Sequence, residues 1–202
     1  GGGARGAYQV GVLKALANLC PPKYQPFPII TGLSVGALNA CVLATEPDDF
    51  PAAARKLESI WRNLDCHQVF NASGPALRGR LRQWAGGIFL GWTGMKPPPS
   101  LLDASPLLDL LSRHVDFDVI NSRVGKSSLR ALGITASSYA SGTANTFFQG
   151  DLELIPWTRS RRRGQRTPLT PQHVLASSAL PFIFPAVRIG STWFGDGALR
   201  EA

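Results

Sequence analysis

The 202 residues carry a net charge of +8, with 44% hydrophobic and 17% charged side chains. That balance excludes a disordered segment and leaves enough chain for one domain with a sizeable core. No apolar run approaches the ~20 residues of a membrane span, and the three cysteines, Cys20, Cys41 and Cys66, show no Cys-x-x-Cys spacing. Their odd number argues against a disulfide framework or a structural zinc site and favours a reducing compartment.

In chain order, "GGGARG" at residues 1–6 leads into a helical pattern from Ala7 to Leu19. Tyr8, Val12, Leu16 and Leu19 recur at helical spacing there, and Pro21-Pro22 closes it. Residues 28–31 read as a buried strand, because Ile29, Ile30 and Thr31 are β-branched. Val35 to Thr45, rich in Ala, Leu and Val, reads as a helix directly after it. Asp48 or Asp49 caps the next helix, with Pro51 in its first turn and Ala53, Leu57, Ile60, Trp61 and Leu64 inward. Residues 71–100 are rich in Gly and Pro without a steady period, so an irregular insertion is expected at about 66–102.

Ser105-Pro106 opens another helix, to about His114, and Leu129 to Ser138 is a strand. Thr146–Phe148 and Leu152–Pro156 predict a meander around Gly150. Thr170-Pro171 caps a helix to about Ala179, and 187–189 with 192–194 form a hairpin joined at Gly190-Ser191. Helices alternating with strands predict an α/β fold. The basicity is local: Cys66–Leu102 holds Arg78, Arg80, Arg82 and Lys96 with no acid. Leu154–Gly195 holds Arg159, Arg161, Arg162, Arg163, Arg166 and Arg188 with no acid.

The chemistry concentrates at glycines. In "GLSVG", Gly32 and Gly36 let strand and helix approach closely, which sets Ser34 on a tight elbow above a helix N-terminus. That suits a nucleophile, and a chance turn remains the alternative. The opening glycines let successive backbone N–H groups point into one concavity before a helix, as an oxyanion hole requires. A dinucleotide site has the same Gly-x-Gly-x-x-Gly form, but it wants an acidic residue ~20 positions on, and Lys23 to Ile30 contain none. For the base, His67, His114 and His173 have no motif support, and no histidine follows Asp196. Asp196, between Gly195 and Gly197 after a strand, is the other candidate, with a plain Asp-Gly turn as its alternative.

"GGGARG" before a helix, then "GLSVG", "ASSALPFIFPAV" and "DGA" in that order resemble the patatin-like phospholipase family from Gly1 to Ala198. The resemblance implies a three-layer α/β sandwich with a central, mostly parallel sheet. It implies a Ser–Asp dyad in which Ser34 is the nucleophile and Asp196, opening Asp196-Gly197-Ala198, is the general base. Backbone amides of Gly2, Gly3 and Arg5 would form the oxyanion hole, Arg5 fixing the loop with its side chain, and "LASSALPFIFP" at 175–185 would shape the wall behind the dyad. The strand that should precede the glycine loop is missing, so residues 1–202 are expected to be one catalytic domain without its first strand and part of a longer chain.

The implied activity is hydrolysis of membrane glycerolipids with release of fatty acid, by a phospholipase A or esterase needing no cofactor or metal. The basic segments, with Trp84, Trp92 and Trp157 beside them, suit peripheral contact with an anionic membrane surface, so a cytoplasmic or peripheral-membrane location is expected. An acyltransferase and a non-catalytic lipid binder on the same fold are the alternatives. Nucleic-acid binding through "RSRRRGQR" would leave the three glycine motifs unexplained and lacks a recognition signature, so no nucleic-acid partner is expected.

Overall fold

The computed structural model describes residues 5–64 and 102–199, so the expected insertion lies almost wholly outside the described residues. The first part holds α1 (Gly6–Ala17), β1 (Ile29–Leu33), α2 (Val35–Ala44) and α3 (Phe50–Arg62). The second holds α4 (Ser105–His114), α5 (Phe117–Arg123), β2 (Ala131–Ser138), β3 (Ala144–Gly150), β4 (Trp157–Arg159), β5 (Arg162–Arg166), α6 (Pro171–Ser177), β6 (Val187–Ile189) and β7 (Thr192–Gly195). A short 3-10 turn, Gly197–Leu199, follows.

Local chemistry accounts for most of these. The Asp49 carboxylate accepts the Ala52 N–H at 2.9 Å and starts α3, whose Ala53, Leu57 and Ile60 are buried. Asp48 is used elsewhere: it accepts the Ser128 N–H and pairs with Arg123, both at 2.8 Å. The Ser128 amide is the main reason its carboxyl titrates below the usual range. Helix α5, which no sequence signal suggested, is capped by Asp116, which accepts the N–H groups of Asp118 and Val119. Helix α2 is apolar all round, and every residue from Ala37 to Ala44 is buried, as a helix enclosed by other elements must be.

The meander expected at 152–156 is a loop. The Arg166 guanidinium donates to the carbonyls of Gly150, Asp151 and Leu154 and so fixes the chain without a ladder. The charge run itself forms the hairpin β4–β5, turning at Arg161 with φ 58°. Trp157 packs on the bare backbone of Gly164, where an added Cβ would lie 2.2 Å from the indole nitrogen.

The α/β architecture is as expected, but among the described residues the sheet is mixed rather than mostly parallel. The strands form one mixed sheet in the order β4-β5-β3-β2-β7-β6, with β1 also on β2. Parallel pairing holds for β1–β2 and β3–β5. The other pairs are antiparallel; in β2–β3, β4–β5 and β6–β7 short links such as 139–143 can only return the chain antiparallel. Strand β2 is the spine of the sheet, buried at every residue, and both α2 and α6 pack on it.

The register on β2 positions the site. One edge of β2 is taken by β3, so β1 and β7 share the other. Strand β1 runs parallel to β2 and ends with Leu33 opposite Thr135. Strand β7 runs antiparallel and ends with Gly195 opposite Ser137. The two approach head to head, and each chain leaves the sheet at the level of Ala136.

Candidate active site

The residues that follow those two strand ends are Ser34 and Asp196. Topology therefore brings the ends of two strands that are far apart in sequence to neighbouring positions on β2. The flanking residues touch: a Cβ on Gly197 would lie 3.0 Å from Leu33 Cβ and 2.3 Å from the Thr135 carbonyl oxygen.

Ser34 has φ 53° and ψ −132°. A non-glycine residue in that region is strained, at a cost on the order of 1–3 kcal/mol. The strain follows from the tightness of the turn. A Cβ at Gly32 would fall 2.3 Å from the Gly36 carbonyl oxygen and 2.7 Å from Ala37 Cα. Only glycine at 32 lets α2 start so close to β1. The Ser34 amide is held by Ser177, donating to its carbonyl at 3.1 Å and its Oγ at 2.9 Å.

Asp196 is 0% exposed. Its Oδ1 accepts the Ala198 N–H at 2.8 Å, and its own N–H donates to the Ala179 carbonyl at 2.8 Å. Oδ2 is buried without a hydrogen-bond partner among the described residues. Leaving a buried acceptor unsatisfied costs about 1–3 kcal/mol, more when it is charged, so such an atom calls for an explanation. Tyr139 lies over Gly195, where a Cβ would meet its hydroxyl at 2.5 Å. Burial first, and then the charge of Asp196, hold its phenol above the usual range.

Arg5 is the N-cap of α1, exposed, with no side-chain capping bond. The side-chain anchoring expected of it is not among the described hydrogen bonds. The helix it opens abuts the elbow: a Cβ on Gly6 would lie 2.9 Å from Val35 Cγ1 and 2.7 Å from the Trp61 ring. Gly2 and Gly3 lie outside the described residues, as does His67. His114 ends α4. His173 is structural: the Thr170 N–H donates to its Nδ1 at 3.0 Å, and its ring meets Phe147 edge-on at 4.6 Å. Burial pushes its imidazole down to about 4, against a smaller opposing effect of the Thr170 hydrogen bond.

A groove of about 880 Å³ runs along the sheet beside the elbow. Leu33 and Gly36 line it near Ser34; Val12, Leu43, Phe148 and Trp157 extend its apolar wall. Ser177 and Tyr139 were not singled out individually by sequence reasoning. Ser177 lies within "LASSALPFIFP", which marked the region; Tyr139 carried no signal.

The sequence matches the model of the patatin-like phospholipase family over residues 1–202. The chain belongs to that family. Among curated proteins it is 40% identical over 70 residues to a patatin-like phospholipase domain-containing protein of Caenorhabditis elegans, covering 32% of this chain and 5% of that protein. It is 41% identical over 68 residues to a lysophospholipase of Aspergillus terreus, covering 31% of this chain and 4% of that protein. The matches thus span about one twentieth of these patatin-like relatives. Among the described residues, no helix is long and apolar enough to cross a membrane.

Proposed function

We propose that this patatin-like domain is a serine lipid acyl hydrolase that releases fatty acid from membrane glycerolipids. The observation that supports the reading is the head-to-head end of β1 and β7 on β2: strained Ser34 follows one strand end, and buried Asp196, with one oxygen unpartnered among the described residues, follows the other.

In this mechanism Asp196 Oδ2 accepts the Ser34 hydroxyl proton as Oγ attacks the ester carbonyl. The tetrahedral oxyanion is assigned to backbone amides of Gly2, Gly3 and Arg5, and each such donor contributes about 3 kcal/mol to lowering the barrier. Collapse expels the alcohol, which takes the proton from Asp196. Water, deprotonated by the same carboxylate, then attacks the acyl-serine and releases the acid. The 880 Å³ groove beside the elbow is apolar enough to take an acyl chain, and the fungal relative named a lysophospholipase supports a lipid ester as substrate.

The exposed arginines at 159, 161 and 163 on β4–β5 suit contact with an anionic bilayer. The test uses full-length protein with a short soluble ester, a mixed lipid panel and a fluorophosphonate label. Parent protein is expected to be labelled at Ser34 and to release fatty acid, and Ser34→Ala to do neither while keeping its fold. Turnover by Ser34→Ala at the parental rate would overturn the reading. Transfer of the acyl group to an added alcohol in preference to water would make the domain an acyltransferase.

A further inference from the structure

Both candidate catalytic residues are fastened through their backbone amides, and both to the same short stretch. Helix α6 ends at Ser177. The last carbonyls of a helix have no partner within it, and here that of Ser177, with that of Ala179 two residues beyond the helix, is taken from outside. The Ser177 carbonyl accepts the Ser34 N–H at 3.1 Å, and the Ala179 carbonyl accepts the Asp196 N–H at 2.8 Å. Ser177 adds a second fastening. Its Oγ accepts the Ser34 N–H at 2.9 Å and donates its own proton to the Thr135 carbonyl at 2.6 Å. Thr135 is the β2 residue opposite the last residue of β1, and its carbonyl is also the atom that crowds Gly197. Ser177 is 0% exposed, so no water competes for these bonds.

We propose that the C-terminal turn of α6, residues 177–179, sets Ser34 and Asp196 against each other, with Ser177 as a positioning residue for the nucleophile. The inference rests on the Ser–Asp reading above. Its physical basis is that Ser34 has a backbone conformation it would not keep unaided. A loop under strain relaxes unless its surroundings over-determine it. The Ser34 amide is the nearest point at which it can be held, and one serine holds it with two acceptors while tying itself to the sheet. Asp196 is held by the next free carbonyl of the same turn. A shift of that turn would therefore move both groups together, whereas loss of the Ser177 hydroxyl would move Ser34 alone.

The test compares Ser177→Ala with Asp116→Ala, which removes the cap of α5 away from the elbow. Both variants should melt below the parent. In full-length protein on a short soluble ester, Ser177→Ala is expected to lower kcat about ten- to a hundredfold with KM within twofold, as misplacement by ~1 Å does. Fluorophosphonate labelling of Ser34 should slow by a similar factor. Asp116→Ala should leave kcat and labelling at the parental level. Ser177→Cys, which keeps a weak donor and acceptor at the same place, should restore part of kcat and covers the case in which the alanine variant does not fold.

Amide hydrogen exchange supplies a readout independent of activity: exchange at Ser34 should speed up at least tenfold in Ser177→Ala, and exchange at Asp196 should not. If Ser177→Ala, or Ser177→Cys where only that folds, turns over within twofold of parent, or if exchange at Ser34 is unchanged, the proposal is overturned. So it is if Asp116→Ala loses as much kcat at the same melting temperature. Failure of the Ser–Asp reading is distinguished from these by Ser34→Ala retaining turnover.

Discussion

The two flanks of β2 are built differently. On one, β1 and β7 end beside each other at half-buried Ser34 and buried Asp196, each held by a backbone hydrogen bond to the stretch at the end of α6. On the other, beyond β3, the hairpin β4–β5 carries exposed arginines at 159, 161 and 163. On the proposed function a group at the first flank would act through where it is held, so small displacements should matter and salt should not. At the second it would act through charge, so position should matter little and salt greatly. Even there the division is sharp: Arg166, at the far end of β5, serves three loop carbonyls and stacks over Phe148 at 5.4 Å. It belongs to the structure rather than to the charged face.

The widest separation between the flanks should come from Asp196→Asn. The variant keeps the shape and removes the proton acceptor, so turnover of a soluble ester should fall by a factor on the order of 10⁴. His114→Gln should stay within about tenfold, a free-energy change of ~1.4 kcal/mol. Steady-state kinetics on folded variants checks both, and an active Asp196→Asn beside an inactive His114→Gln would move the base elsewhere. Next in size, Gly32→Ala should lower stability by roughly 3 kcal/mol or more. Its Cβ meets backbone atoms of Gly36 and Ala37, which cannot swing aside. Urea denaturation measures it, and a change below about 0.5 kcal/mol would show that the elbow is slack.

On the other flank, changing Arg159, Arg161 and Arg163 together to Gln should weaken binding to anionic vesicles. The expected loss is up to about 1 kcal/mol per charge. Binding to zwitterionic vesicles, folding stability and soluble-ester turnover should hold. Raising salt should reproduce the loss in the parent, because the Debye length shrinks to about 3 Å at 1 M. Co-sedimentation at two salt concentrations reads this out; equal sedimentation of parent and variant would make the hairpin a solvated loop.

The smallest effect concerns His173. Its imidazole is held at about 4 in the fold, against 6.5 as its ordinary value. The native state therefore resists protonation that the unfolded chain accepts. Its contribution to stability is whole above about pH 6.5 and is lost as pH falls toward 4, by about 2 kcal/mol at pH 5. His173→Gln should flatten that part of the pH–stability profile while sparing turnover at pH 7.5, which chemical denaturation across pH would show.

Much of this was legible in the residues. Gly32-Leu33-Ser34-Val35-Gly36 announced a strand–helix elbow because only glycine tolerates such close backbone approach. Asp49 with Pro51 announced α3 because caps are local, and the α1, α2, α4 and β2 patterns were read within a few residues of their ends. Local signals were weaker where long-range partners decide. The segment 152–156 looked like a strand by composition, yet Arg166 took its carbonyls, and the arginine run became the strand because β3 and Trp157 were there to receive it. Asp116 is a sound cap, but its helix is too short to show a period.

The sequence by itself determined which groups could react and how tight their turns must be, since those properties reside in side chains and in the absence of Cβ atoms. Only the tertiary structure decided that the strand ends before Ser34 and Asp196 converge on β2. That depends on β1 running parallel and β7 antiparallel along one edge of β2, with registers that end at Thr135 and Ser137, on either side of Ala136. It decided equally that Ser177 lies beneath them. Hydrogen bonds between residues 143 positions apart leave no trace in local spacing, because a hydroxyl is needed at that point only once the sheet has formed.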